Sequence, residues 1–404
     1  ESEGPEVSIG QVCSISSERH GETIEAQVVG FRENVVLLMA LESVHLIHPG
    51  CKVSSKKNSN AVPYGPSLLG RIIDGMGRPI DGKGPLLAPQ REGFYCEPPN
   101  PLSRSLISAP FSSGIKAIDS FVPLGVGQRV GIFSGSGVGK SILLGMIGRG
   151  SEAQVNVISL VGERGRELRE FVENDLGPEG MAKSVIVVST SDQPAPMRIR
   201  ASILATAIAE GFRNEGNKVL LLMDSLTRFA MAQREIGLAA GEPPASRGYV
   251  PSVFSLLPKL LERTGTSDSG AITAIYTVLV EGDDMNEPVA DAVRGFLDGH
   301  IVLSRKLANA NHFPAVDVLR SVSRLDRAVC EEEEIALISE ARDLLSVYMQ
   351  NEDLINVGAY VKNSNAKIDR AIEKFDDIEN FLRQKYDHLS SRKEAFELLF
   401  KILK

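Results

Sequence analysis

Paired cysteines, a long apolar run and an excess of positive charge are all absent from this 404-residue sequence. The four cysteines, Cys13, Cys51, Cys96 and Cys330, are scattered with no C-x-x-C pair. That scatter supports neither a zinc site nor a secreted disulfide framework, and it predicts a reducing compartment. No apolar stretch approaches the roughly 18 residues a membrane-spanning helix needs, and Val35 to Leu41 is typical of the longest. The 44 Lys and Arg residues stand against 52 Asp and Glu, a net charge of −8. Residues 331 to 404 hold 16 acidic and 11 basic side chains, and so −5 of that total. Nucleic-acid-tracking proteins concentrate Lys and Arg, because phosphate neutralisation drives their binding, so no nucleic-acid partner is expected. His45 and His48 have no Cys or third His nearby and read as strand-end residues rather than metal ligands. The chain opens at Glu1 in a turn-like Glu3-Gly4-Pro5 with no signal peptide, so a trimmed N-terminus is expected.

What is present is an ordinary globular composition, 43% hydrophobic and 24% charged, which excludes disordered and collagen-like classes. At about 150 residues per domain, two or three domains are expected. Up to about Leu87 the β-rich runs Ile9 to Ile15, Ile24 to Val29 and Val35 to Ala40 alternate with Gly, Pro and Asn, the pattern of a small barrel or sandwich. The glycine-rich Gly70 to Pro85 and then Pro98-Pro99-Asn100-Pro101 read as the exit from that domain. Beyond Leu102, apolar runs alternate with helical segments such as Met197 to Asn214 and Val253 to Glu262. The runs are Arg129 to Phe133, Val155 to Val161, Ser184 to Val188, Lys218 to Met223, Ala271 to Val280 and Ile301 to Leu303. Runs of Val, Ile and Leu without polar alternation predict strands buried on both faces, hence a parallel sheet covered by helices. From about Glu331 apolar residues recur at three to four positions, as in Ile368, Ile372, Phe375, Ile378 and Leu382, which predicts a helical C-terminal region.

Four segments carry chemistry. Ser134-Gly-Ser-Gly-Val-Gly-Lys-Ser141 follows an apolar strand and opens a helix. Glycines let backbone N–H groups converge on phosphate oxygens, Lys140 reaches the terminal phosphates and the Ser141 hydroxyl ligates Mg2+. Ser134 replaces the first glycine of the usual phosphate loop. Lys218 to Asp224 is an apolar strand ending in a carboxylate able to hold Mg2+ beside that loop. Glu163, in Gly162-Glu163-Arg164-Gly165, could orient a water for attack while Arg164 takes up phosphate charge, although the same residues could simply open a solvated helix. The fourth segment, Pro314 to Arg324, gains its meaning from resemblance.

Together the loop Gly135 to Ser141, Gly162-Glu163-Arg164, Asp224-Ser-Leu-Thr-Arg228 and Pro314 to Ser323 closely resemble the rotary ATPase family of F-, V- and A-type ATPases. The wording of Asp192-Gln193-Pro194, Ala240 to Pro244, Val280 to Met285 and Asp298 to Ser304 looks like its branch that powers bacterial type III protein export, and Phe229 to Glu235 looks more flagellar than injectisome-like. The resemblance implies an α/β fold: a RecA-like P-loop ATPase core at 88–330, an N-terminal β-barrel domain at 1–87 lacking its first strand, and a C-terminal helical domain at 331–404. It implies a Mg-dependent ATPase with ATP and Mg2+ as cofactors, working as a homohexamer with active sites between subunits. Gly135, Ser136, Gly137, Val138, Gly139, Lys140, Ser141 and Ile142 would bind nucleotide, with Phe313 packing on adenine. Ser141 and Asp224 would hold the metal, Glu163 would activate water, Arg164 would contact the γ-phosphate, and Arg324 would be an arginine finger for the neighbouring subunit. Partners would be an export-apparatus regulator, a central stalk protein, a membrane export gate, and exported proteins with their chaperones, at the inner face of the bacterial cytoplasmic membrane with peripheral membrane association only. The alternatives are an injectisome ATPase and a catalytic or non-catalytic subunit of a rotary ATP synthase. The carboxylate at Glu163 favours catalysis over a non-catalytic role, and an RNA helicase of related build would need a basic channel that is not visible.

Overall fold

The computed structural model describes all residues except 17–21, 43, 46, 57–59, 92, 281 and 283. Two positions of the Val280 to Met285 segment, Glu281 and Asp283, thus lie outside the described residues.

The first β-rich runs form β1 (Val12–Ser16), β2 (Thr23–Arg32), β3 (Val35–Ala40) and β4 (Lys52–Ser55). They make a four-stranded antiparallel sheet in the order β3-β2-β1-β4. Its register sets Ile15 opposite Ile24 and Cys13 opposite Ala26, so alternate apolar side chains share the buried face. His45 and His48 lie past the end of β3, in the irregular stretch before β4, rather than at a strand end. Among the described residues no group of three or more His, Cys, Asp or Glu side chains could hold a metal by itself.

The large sheet contains β5 (Arg71–Asp74), β6 (Arg129–Ser134), β7 (Val155–Val161), β8 (Ser184–Ser189), β9 (Lys218–Asp224), β10 (Ala271–Leu279), β11 (Gly299–Leu303) and β12 (Val322–Ser323). Their order is β12-β11-β6-β10-β9-β7-β8-β5, parallel except where β12 joins β11. Two-residue periodicity explains the unbroken apolar runs. Val157, Val161, Val219 and Leu221 face one core, while Ile158, Leu160, Leu220 and Leu222 face the other. The helix expected at Met197 to Asn214 covers the first face as Ala195–Asn214, and that at Val253 to Glu262 runs from Pro251 to Leu261.

β5 is a departure from expectation. The glycine-rich segment after Gly70 reads as a domain exit, yet Arg71–Asp74 pairs in parallel with β8 as an edge strand of the large sheet. The chain has therefore joined that sheet before residue 87, the expected end of the first domain. Two isoleucines are too short an apolar run to announce a buried strand. A turn fixes it instead: Arg71 donates to both Asp81 oxygens, at 2.7 and 3.1 Å, and Ile80 N donates to Ile72 O at 2.9 Å.

Two helices flank the start of the nucleotide-binding region, α1 (Lys116–Phe121) and α2 (Lys140–Gly150). The C-terminal periodicity yields α3 (Glu332–Asn356), α4 (Ala366–Leu382) and α5 (Arg392–Leu403). Capping boxes start α3 (Glu331 with Glu334) and α5 (Ser391 with Glu394), satisfying backbone N–H groups that have no partner inside the helix. The apolar faces of these helices, with Leu345, Ile378, Phe381, Leu399 and Leu403, enter the same core as Ile118 and Phe121 of α1 and Leu144 and Ile147 of α2. The C-terminal helices thus pack onto α1 and share one core with the helix that follows the glycine-rich loop. Among the described residues no helix is long and apolar enough to cross a membrane.

Candidate nucleotide site

Parallel pairing brings the carboxyl ends of β6, β7 and β9 to one edge of the sheet, where α/β proteins bind ligands. β6 runs into the glycine-rich loop, β7 into Gly162-Glu163, and β9 ends in Asp224. Three segments distant in sequence thereby meet in a cavity of about 580 Å3, lined by Gly135, Ser136, Gly137, Gly139, Lys140, Ser141, Ile142, Glu163, Arg164 and Arg228 among others. The loop caps α2, an eleven-residue helix whose free N–H groups and positive dipole end suit an anion. Val138 differs from its loop neighbours: its side chain is buried in the core, so only its backbone can serve a ligand.

Lys140 Nζ donates to Asp224 Oδ1 at 2.5 Å and lies 3.7 Å from Glu163 Oε1. Asp224 is 4% exposed, and its Oδ1 also accepts from the Thr277 hydroxyl at 2.6 Å. Burial, then the negative charge of Asp224, push the Glu163 carboxyl up to about 7, against the pull of Lys140. A raised carboxyl in a phosphate cavity is suited to proton transfer near neutral pH. Ser141 and Asp224 offer hard oxygen donors that fit Mg2+. Since no larger cluster of ligating side chains exists among the described residues, a cation here would complete its shell with phosphate oxygens and water, as Mg2+ usually does.

Arg164 stands at the lip, its side chain 78% exposed and 3.7 Å from Glu167. Arg228 was not singled out by sequence reasoning, though it closes the Asp224 to Arg228 segment. It lines the cavity, and its Nε is buried with no hydrogen-bond partner among the described residues. A β-carbon at Gly162, where φ is +73°, would stand 2.9 Å from the Arg228 side chain, so only glycine lets β7 end against it.

A second cavity, of about 590 Å3, adjoins the first at Gly139 and Ile142 and is walled by Leu143, Met146 and Phe313. A further wall comes from the C-terminal region, through Arg383, Gln384 and Tyr386, which no local motif marks. Phe313 packs so closely on the glycine-rich loop that a β-carbon at Gly139 would lie 3.3 Å from its ring. The adjoining polar and apolar chambers match a triphosphate and a base. Arg324 lines neither cavity. It is exposed, with Nη2 donating to Arg294 O at 3.3 Å.

A helix-covered parallel sheet with this loop, lysine and paired carboxylates defines a P-loop nucleoside triphosphatase of RecA-like build. Residues 114–323 match the nucleotide-binding domain of the ATP synthase alpha/beta family, residues 2–56 its beta-barrel domain, and residues 330–401 the T3SS EscN ATPase C-terminal domain. The chain belongs to the ATP synthase alpha/beta family, in the branch that carries this C-terminal domain. It is 52% identical over 402 residues to the flagellum-specific ATP synthase of Bacillus subtilis, spanning 99% of this chain and 91% of that protein. Identity to the type 3 secretion system ATPase of Xanthomonas euvesicatoria is 47% over 397 residues, 98% of this chain and 90% of that protein. The solved structure of the assembled ATPase EscN from the enteropathogenic E. coli type III secretion system superposes with a TM-score of 0.93 at 45% identity, covering 99% of this chain and 96% of that one.

Proposed function

We propose that this chain hydrolyses ATP to energise type III protein export, in a flagellar system, as a homohexameric ring with active sites between subunits. The observation that carries the reading is a division of parts. The phosphate cavity holds Lys140, Glu163 and Arg228, while Arg324 is exposed just past β12, an edge strand of the same sheet, and lines no part of that cavity. One chain thus carries both halves of a site that it cannot close alone. Glu163 activates the attacking water, Lys140, Arg164 and Arg228 take up phosphate charge, and Arg324 supplies the finger to the neighbouring copy. Ser141 and Asp224 hold Mg2+, whose chemistry when bound is to neutralise charge on the phosphates. Phe313 packs on the adenine ring.

The flagellar reading draws support from the greater identity to the B. subtilis flagellar relative. EscN has been solved in complex with its central stalk EscO, and a stalk protein of that kind is the partner proposed here, together with a regulator, an export gate, and chaperoned export substrates at the inner face of the cytoplasmic membrane. We place the end of the barrel domain before β5, the ATPase domain up to about residue 330 and the helical domain beyond it. The test is complementation by mixing. Arg324→Ala and Glu163→Gln proteins are each nearly inactive, yet co-assembled rings regain turnover where an intact Glu163 meets an intact Arg324. Co-assembly without recovery would show that Arg324 acts within its own subunit, and the intersubunit site would be abandoned.

A further inference from the structure

The segment Asn311 to Phe313, which carries the ring facing the apolar cavity, is tied residue by residue to the end of α4. Arg383 Nη1 donates to Asn311 O at 3.1 Å. His312 Nδ1 meets Glu379 Oε2 at 2.9 Å, and because a carboxylate only accepts, Nδ1 is the donor. Gln384 N donates to Phe313 O at 2.9 Å. The Gln384 side chain is fully engaged elsewhere: Nε2 donates to Gly114 O and His388 O at 2.8 and 2.7 Å, and Oε1 accepts from Lys116 N at 2.8 Å. Gln384 therefore anchors the end of α4 to the nucleotide-binding domain and has no amide group left for a ligand.

We infer that Glu379 and His312 form a positioning pair that holds the Phe313 ring over the base cavity. This rests on the reading of Phe313 as the adenine platform. His312 is 1% exposed, and its Nε2 has no partner among the described residues, so the bond to Glu379 is the polar contact that fixes the ring. Phe313 itself is 41% exposed. Core packing alone does not hold its ring, so its placement depends on the backbone on either side of it. Three ties to one helix end, on three successive residues, supply that control. Base stacking contributes equally to bound substrate and transition state, so loosening the platform should raise KM and leave kcat.

The test uses the full chain as wild type, Glu379→Ala, Glu379→Gln, Phe313→Ala and the Glu379→Ala/Phe313→Ala double variant. Turnover gives kcat and KM, and competition against a fluorescent nucleotide gives affinities for ATP and for inorganic tripolyphosphate. Glu379→Ala should raise the KM for ATP roughly tenfold, the effect of one part-buried hydrogen bond to a charged group. Its kcat and its tripolyphosphate affinity should stay near wild type. Glu379→Gln, which keeps an oxygen acceptor, should restore KM, and Glu379→Ala should add nothing in the Phe313→Ala background. An unchanged KM, or ATP and tripolyphosphate weakening together, would overturn the positioning role. If Phe313→Ala binds ATP as tightly as wild type, the adenine platform fails first, and this inference falls with it.

Discussion

Lys140 and Asp224 are locked together at 2.5 Å in the space where a nucleotide's terminal phosphates would enter, and the lysine is within 3.7 Å of Glu163 as well. One ammonium thus compensates two carboxylates in a site that is otherwise partly buried. An arriving triphosphate would draw the lysine onto its own oxygens, and the carboxylates would then face the metal and the attacking water.

Replacing Lys140 with Ala should therefore do more than remove a phosphate contact. It leaves Asp224 and Glu163 close together without their cation, and it costs a charge-assisted bond to substrate. Titration with a fluorescent ATP analogue should show affinity down by roughly 10 to 100-fold, with turnover lost. Equal affinity in the two proteins would refute the phosphate-loop role.

Glu163→Gln keeps shape but cannot take a proton. Binding of the analogue should persist while steady-state hydrolysis drops by roughly 10² to 10⁴. Wild-type turnover in this variant would remove Glu163 from the chemistry.

Gly139→Ala meets two obstacles. The backbone there has φ +84°, which disfavours a β-carbon by about 1–2 kcal/mol, and that carbon would lie 3.3 Å from the Phe313 ring. Thermal melting should fall, and ATP affinity should fall further than the melt implies, since the ring must give way. An affinity matching wild type would mean that the loop and the ring adjust independently.

The Arg71 guanidinium and the N–H groups of Ile72 and Lys83 hold the Asp81 carboxyl well below the usual carboxylate range. A depressed folded-state value contributes stability above the unfolded value, about 3.9, that is lost as pH falls below it. The difference in melting temperature between wild type and Asp81→Asn should be full at pH 7 and shrink progressively below about pH 4. A difference independent of pH would assign the loss to the altered turn rather than to the charge.

Much of this was readable from sequence where local pattern and chemistry coincide. The strand Val155–Val161 was delimited from its apolar run alone, because a strand buried on both faces leaves no polar interruption. Lys140 and Ser141 stand out because phosphate chemistry dictates residue type at fixed spacing, whereas spacing leaves Glu163 open and the fold brings it to the same cavity. What escaped notice depends on distant pairing. β5 is defined only by its partner β8, and Arg383, Gln384 and Tyr386 join the apolar cavity only because α4 packs against α1. Thr277, whose hydroxyl supports Asp224, sits near the end of an apolar strand with no local feature to distinguish it.

The core shared by the C-terminal helices and α2 sets a limit on modularity. A chain cut after residue 330 would keep every residue of the phosphate loop, yet it would strip Phe381, Leu399 and Leu403 from the core that α1 and α2 share. It would also remove one wall of the apolar cavity. Sequence families divide the chain there, but its packing does not. Swapping the C-terminal region between relatives should therefore alter how the enzyme holds its nucleotide, even with every motif residue left in place.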